Sequence, residues 1–142
     1  MVQILVAVIL VMAALSVAAV LRRRRQPEPP TQGGWTTPTQ LDRAGFARPE
    51  ASWLIAVFSS GTCNVCADIV AKAQVMEAKE VVVQEVEYST AKALHRRYRI
   101  DAVPLVVLAD SVGVVRASFI GPVAASDLWA AFAQARDADS QS

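Results

Sequence analysis

Two cysteines constrain this chain more than any other residues. Cys63 and Cys66 are the only two in its 142 residues. They stand C-x-x-C in the stretch Phe58-Ser59-Ser60-Gly61-Thr62-Cys63-Asn64-Val65-Cys66. Before them, Trp53 to Phe58 is a short, continuously apolar run, the pattern of a buried strand. After them, Ile69, Val70, Ala73 and Met76 recur at helical spacing, which predicts a helix opening at the cysteines and running to about Ala78.

Two cysteines three apart in a first helical turn lie on one face and can bridge with little backbone movement. The free N–H groups and dipole of such a turn favour a thiolate on Cys63. Cys63 is therefore the expected attacking sulfur, and Cys66, one turn in, the expected resolving sulfur. Cysteines at this spacing also serve other chemistry. A structural zinc site takes about four ligands, against two cysteines and one distant histidine, His95, so no metal is expected. Haem attachment needs a histidine directly after the second cysteine, where Ala67 stands. A copper-carrying C-x-x-C module and a pair of inert buried thiols are both compatible with the spacing alone. The strand-before, helix-after setting favours a redox pair.

The amino-terminal part reads separately. Residues 2–21 carry no charge, and only Gln3 and Ser16 are polar. That matches the about 20 residues of one bilayer crossing. Arg22-Arg23-Arg24-Arg25 follows at once, while no Lys or Arg precedes the run. Positive charge beside a span stays cytoplasmic, which predicts a single-pass plasma-membrane protein with its domain in the cytoplasm. A cleaved signal peptide wants its positive charge before the apolar run, and small residues at Ala13-Ala14 and Ala18-Ala19 keep cleavage or the opposite, extracytoplasmic orientation as the alternative. Residues 22–38 form a basic flank and a Pro/Gly linker, extended near Pro27, Pro29 and Pro30 and flexible near Gly33 and Gly34. The net charge is +1, with no basic stripe beyond one local cluster, so no nucleic-acid partner is expected.

Residues 39–136 read as one domain, with 137–142 a polar tail. A short helix is expected over Thr39–Gly45 with Thr39 as N-cap. Val81–Glu87 is β-branched and reads as a strand. Ser89-Thr90 offers an N-cap for a helix through Tyr98 with Ala91, Leu94 and Tyr98 on its apolar side. Lys92, His95, Arg96, Arg97 and Arg99 are assigned to the solvated side, with steering of an acidic partner or anionic lipid as a second role for that cluster. Pro104–Leu108 and Val114–Phe119, joined across Asp110-Ser111-Val112-Gly113, predict a hairpin. A last helix is expected from about Ala124 to Arg136 around Leu128, Phe132 and Ala135, with Trp129 beside them. Strands alternating with helices call for parallel pairing through crossovers, and the closing hairpin adds an antiparallel strand. The fold class is α/β, a mixed central sheet covered by helices on both faces.

At this point the domain resembles the thioredoxin family. The resemblance covers about residues 39–136 and rests on three features in register. They are strand–C-x-x-C–helix, the approach Tyr98-Arg99-Ile100-Asp101-Ala102-Val103-Pro104, and Gly121 after the hairpin. It implies a thioredoxin-like three-layer sandwich, preceded here by one transmembrane helix. It also implies a cis Val103–Pro104 bond facing the cysteines. Val103, Pro104, Thr62, Asn64, Val65 and Gly121 then become the substrate-binding positions. The chain departs from the family pattern as well. Thr62 replaces a tryptophan, Asn64-Val65 a Gly-Pro pair and Ala67 a basic residue. Val57 stands where the family has a buried acid, and Glu85 where a lysine often accompanies it.

The expected function is a membrane-tethered thiol–disulfide oxidoreductase contributing to cell redox homeostasis. Cys63 would act as nucleophile and Cys66 as resolving residue, with no metal or organic cofactor. The expected partners are protein disulfide substrates, a recycling reductant and, through residues 2–21, the membrane. A redox-silent binding module of the same fold at the membrane, or an extracytoplasmic thiol oxidoreductase, are the alternatives.

Overall fold

The computed structural model describes residues 1, 3, 11–13, 16 and 35–141. The chain divides into two compact units, Met1–Gly33 and Gly34–Ser142. Of the predicted anchor over residues 2–21, Gln3, residues 11–13 and Ser16 are described and helical. Its other residues, and residues 22–34 of the predicted linker, lie outside the described residues. Among the described residues no helix is long and apolar enough to cross a membrane.

The second unit is built as β1 (Trp53–Ser59), α1 (Cys66–Gln74), β2 (Val81–Glu87), α2 (Lys92–Arg97), β3 (Leu105–Ala109), β4 (Val115–Ile120) and α3 (Ala125–Asp139), with a short 3-10 turn at Arg43–Gly45 ahead of them. The strands form one sheet in the order β2-β1-β3-β4. β1 runs parallel to β2 and antiparallel to β3, and β3 runs antiparallel to β4. The mixed sheet is as expected, but only one of its pairs is parallel. The reason lies in α2. Its six residues rise about 9 Å, against about 23 Å for a seven-residue strand. The chain therefore re-enters the sheet from the end where β2 left it, with Leu105 opposite Phe58.

Every residue of β1 is buried, because both faces of the sheet are covered. On one face Trp53, Ile55 and Val57 pack with Ile69, Ala73 and Met76, and with Leu128, Phe132 and Ala135 of α3. On the other, Leu54, Ala56 and Phe58 pack with Leu41, Phe46, Val86 and Val107, and Leu94 and Tyr98 lean on them. Period-two alternation along one strand thus feeds two separate cores. Full burial of a side chain such as Phe58 (0% exposed) contributes about 2–3 kcal/mol.

The β3–β4 turn is held by buried Asp110. Its carboxylate accepts from the Val112 and Val114 amides at 3.1 and 2.9 Å and from Arg116 Nε at 2.8 Å. Gly113 takes φ +86° there, and a Cβ on it would lie 1.9 Å from the Leu41 carbonyl oxygen. That approach exists because the 39–41 segment runs extended beside the start of β4. The Leu41 amide donates to the Gly113 carbonyl at 2.8 Å, and Gln40 bridges Val114. The helix expected from Thr39 is therefore only the 3-10 turn, capped by Asp42.

The largest correction concerns α2. Its N-cap is Ala91 with no side-chain cap, not Ser89 or Thr90. His95, assigned to the solvated side, is 3% exposed. Its ring stands edge-on to Phe58 and Tyr88 at 5.2 and 5.3 Å. His95 Nε2 lies 2.7 Å from the Val86 carbonyl. A carbonyl only accepts, so Nε2 carries the proton and donates. The other ends differ by a few residues: α1 stops at Gln74 rather than about Ala78, and α3 continues to Asp139 into the expected polar tail.

Candidate active site at the cysteine loop

β1 ends at Ser59, and the chain turns through Ser60–Val65 before α1 begins at Cys66. The Cys63 amide donates to the Ser60 carbonyl at 3.1 Å, and the Cys66 amide to the Cys63 carbonyl at 3.4 Å. Cys63 therefore lies one turn ahead of the helix, not inside its first turn as the spacing predicts. Val65 holds the cap position and makes no side-chain cap bond. Cys63 still sits off the amino end of α1, where the helix dipole is positive.

The two cysteines are joined as a disulfide with Cα atoms 5.5 Å apart, inside the ordinary range for a bridge. Their exposure differs. Cys63 is half-buried, while Cys66 is 3% exposed. Thr62, Asn64 and Val65 are exposed around them. The Ser60 and Thr62 hydroxyls lie 3.3 Å apart. A reagent approaching from solvent meets Cys63 first.

The Val103–Pro104 bond is cis. Because Phe58 pairs with Leu105, Pro104 comes opposite Ser59, the residue from which the cysteine loop departs. The Gly121 amide donates to the Pro104 carbonyl at 2.8 Å, and Gly121 takes φ +84°, a left-handed conformation that suits glycine. The cysteine loop, Pro104 and Gly121 are thus gathered at one end of the sheet. Val103 is turned elsewhere and packs with the core on the α2 face.

Val57 is fully buried among apolar side chains, so no acid lies at that position. Its register partner is Glu85. Glu85 is exposed, yet its Oε1 accepts from the hydroxyl of Ser59 at 2.6 Å, and Ser59 is 1% exposed. Two residues on, Glu87 binds the loop itself. Its Oε1 accepts from the Gly61 amide at 3.1 Å, and its Oε2 from the Ser89 and Thr90 amides at 2.8 and 3.2 Å and from the Ser89 hydroxyl. Sequence reasoning misses Ser59 and Glu87. The available signal is alternation: Val81, Val83, Glu85 and Glu87 share one face of β2, and that face turns from apolar to acidic level with the end of β1. Among the described residues, no group of three or more His, Cys, Asp and Glu side chains gathers as metal ligands.

Solved structures similar to this chain include the following three. One, described as a malarial protein, gives a TM-score of 0.53 at 17% identity, covering 58% of this chain and 96% of its own. Trxlp from Edwardsiella tarda EIB202 gives 0.51 at 20% identity, covering 63% and 91%. Thioredoxin-2 of the malaria parasite, a component of that organism's protein secretion machinery, gives 0.52 at 19% identity, covering 58% and 82%. No family model and no curated protein matches the chain. The domain has a thioredoxin-like fold, with a C-x-x-C disulfide where its first core strand gives way to a helix.

The Glu87 carboxyl is held below the usual carboxylate range, chiefly by the Ser89 hydroxyl, with the Thr90, Ser89 and Gly61 amides adding and burial opposing. A depressed folded pKa means the contribution to stability is complete above the unfolded value of about 4.3 and is lost as pH falls through the folded value. The stability difference between wild type and Glu87→Gln, measured by urea unfolding, is expected to be constant above about pH 5.5 and to shrink below about pH 4.3. A difference that grows on acidification contradicts this.

Proposed function

We propose that this chain is a membrane-tethered thiol–disulfide oxidoreductase in which Cys63 is the nucleophile and Cys66 the resolving cysteine. The observation that carries the reading is the unequal exposure of a bridged C-x-x-C pair on a thioredoxin-like fold. In the reducing direction, the Cys63 thiolate attacks one sulfur of a substrate disulfide. A mixed disulfide forms and one substrate thiolate leaves. Cys66 then loses its proton and attacks Cys63, closing the Cys63–Cys66 bond and releasing the second substrate thiolate. Two electrons pass from the dithiol to the substrate, and two protons complete its thiols. A separate reductant must return the pair to the dithiol.

Val103, Pro104, Thr62, Asn64, Val65 and Gly121 belong to the proposal as the surface that receives the substrate chain. Their positions at the sheet end support it for all but the Val103 side chain, which is occupied in the core. The substrates proposed are protein disulfides. The tether rests on the sequence alone: the uncharged run over 2–21 and the four arginines after it. The same charge asymmetry favours a cytoplasmic domain, where the pair rests as dithiol and acts as a reductant.

Cys63→Ser is expected to abolish disulfide reduction, and Cys66→Ser to accumulate mixed disulfides visible on non-reducing gels. Reduction at wild-type rate by both variants removes the reading. Alkaline carbonate washing of membranes from expressing cells is expected to leave the full-length chain in the pellet, and a variant lacking residues 2–21 in the supernatant. Release of the full-length chain contradicts the tether.

A further inference from the structure

The loop ahead of the cysteines is held from one side by carboxylates. β2 is an edge strand, and its last turns of pleat put Glu85 and Glu87 on the face that carries α1, opposite Val57 and Ser59. Glu85 accepts from the buried Ser59 hydroxyl at 2.6 Å, and Glu87 from the Gly61 amide at 3.1 Å. We infer that Glu85 and Glu87 are positioning residues that anchor the cysteine loop and oppose ionisation of Cys63, making the couple a stronger reductant. The inference deepens the proposed exchange role and rests on it.

The distances support an electrostatic effect. The Gly61 and Cys63 Cα atoms, two residues apart, are at most about 7 Å from each other, so the Glu87 carboxylate on the Gly61 amide lies on the order of 10 Å, the screening length at about 0.1 M salt, from the Cys63 backbone. The Glu87 charge at that range disfavours a thiolate and leaves the neutral thiol almost untouched, and the Glu85 charge, bonded to Ser59 at the root of the loop, acts with the same sign. They act against the positive end of α1, which favours the thiolate. Neighbouring charges are engaged locally. Asp68 and Lys72 of α1 pair at 2.6 Å, and Lys92 of α2 lies over the Tyr88 ring at 5.9 Å. A less stable thiolate means a less stable reduced state, and a couple whose reduced state is less stable gives up electrons more readily. The carboxylates act from the neighbouring strand, because Val57 beneath the loop is apolar.

The test reads the Cys63 thiol directly. The reduced full-length chain in detergent is alkylated with iodoacetamide across pH, and the Cys63 peptide is quantified by mass spectrometry. Glu85→Gln keeps an oxygen to accept from Ser59 and removes the charge, while Glu87→Gln removes the charge and keeps one of its two accepting oxygens. Each is expected to lower the midpoint of the pH–rate curve by about half a unit. Glu85→Lys, a reversal at an exposed position, is expected to shift it further than Glu85→Gln. Above that midpoint, the equilibrium with glutathione is expected to move about threefold toward the dithiol in each Gln variant. Ser89→Ala, which loosens Glu87 without changing charge, is expected to leave the midpoint near wild type. Midpoints unchanged in all three charge variants, or shifted as far by Ser89→Ala, overturn the inference. A wild-type chain that alkylates but never exchanges with glutathione overturns the proposed function instead.

Discussion

The structure depends on one strand with no wet face. Trp53–Ser59 is buried from end to end, so its alternate side chains must be met by apolar partners above and below the sheet. That requirement fixes three layers. α1 and α3 cover Trp53, Ile55 and Val57, while the 39–46 segment and α2 cover Leu54, Ala56 and Phe58. It also fixes where chemistry can occur. A strand sealed on both faces is reachable only at its ends, and its carboxyl end is where the chain leaves for Cys63.

At that end the fold supplies polar backbone and charged edges in place of apolar cover. Pro104 and Gly121 close one side through the Gly121–Pro104 hydrogen bond, and Glu85 and Glu87 close the other through Ser59 and Gly61. The cysteine loop is thus bracketed by β3–β4 and by β2. The apolar Val57 beneath it leaves ionisation of the pair to the helix end and to the edge-strand carboxylates.

Much of this is legible in the sequence, for physical reasons. A buried strand must be continuously apolar, and a hairpin must turn, so β1, β2 and the β3–β4 pair announce themselves within a residue or two. The cis proline follows from resemblance rather than from pattern. What fails is whatever depends on partners distant in the chain. Ala91, Leu94, His95 and Tyr98 together complete the helical template, yet His95 among arginines reads as solvated until the Val86 carbonyl appears 2.7 Å from its ring. Asp110 looks like an ordinary turn residue, and its burial depends on Arg43, Arg116 and the extended 39–41 segment. Glu87 reads as the polar end of a strand, because nothing local reveals that Gly61 donates to it. The start of α1 is displaced by one turn for a similar reason: the loop is shaped by those tertiary bonds, not by cap propensity.

The chemistry turns on whether Cys63 and Cys66 form a reversible couple. The most direct measurement is the reduction potential of the pair in the full-length protein, equilibrated against glutathione buffers. A reductant of this architecture should lie near about −270 mV or below. A potential near about −120 mV, or a pair that forms no disulfide under any buffer, contradicts a reductant role.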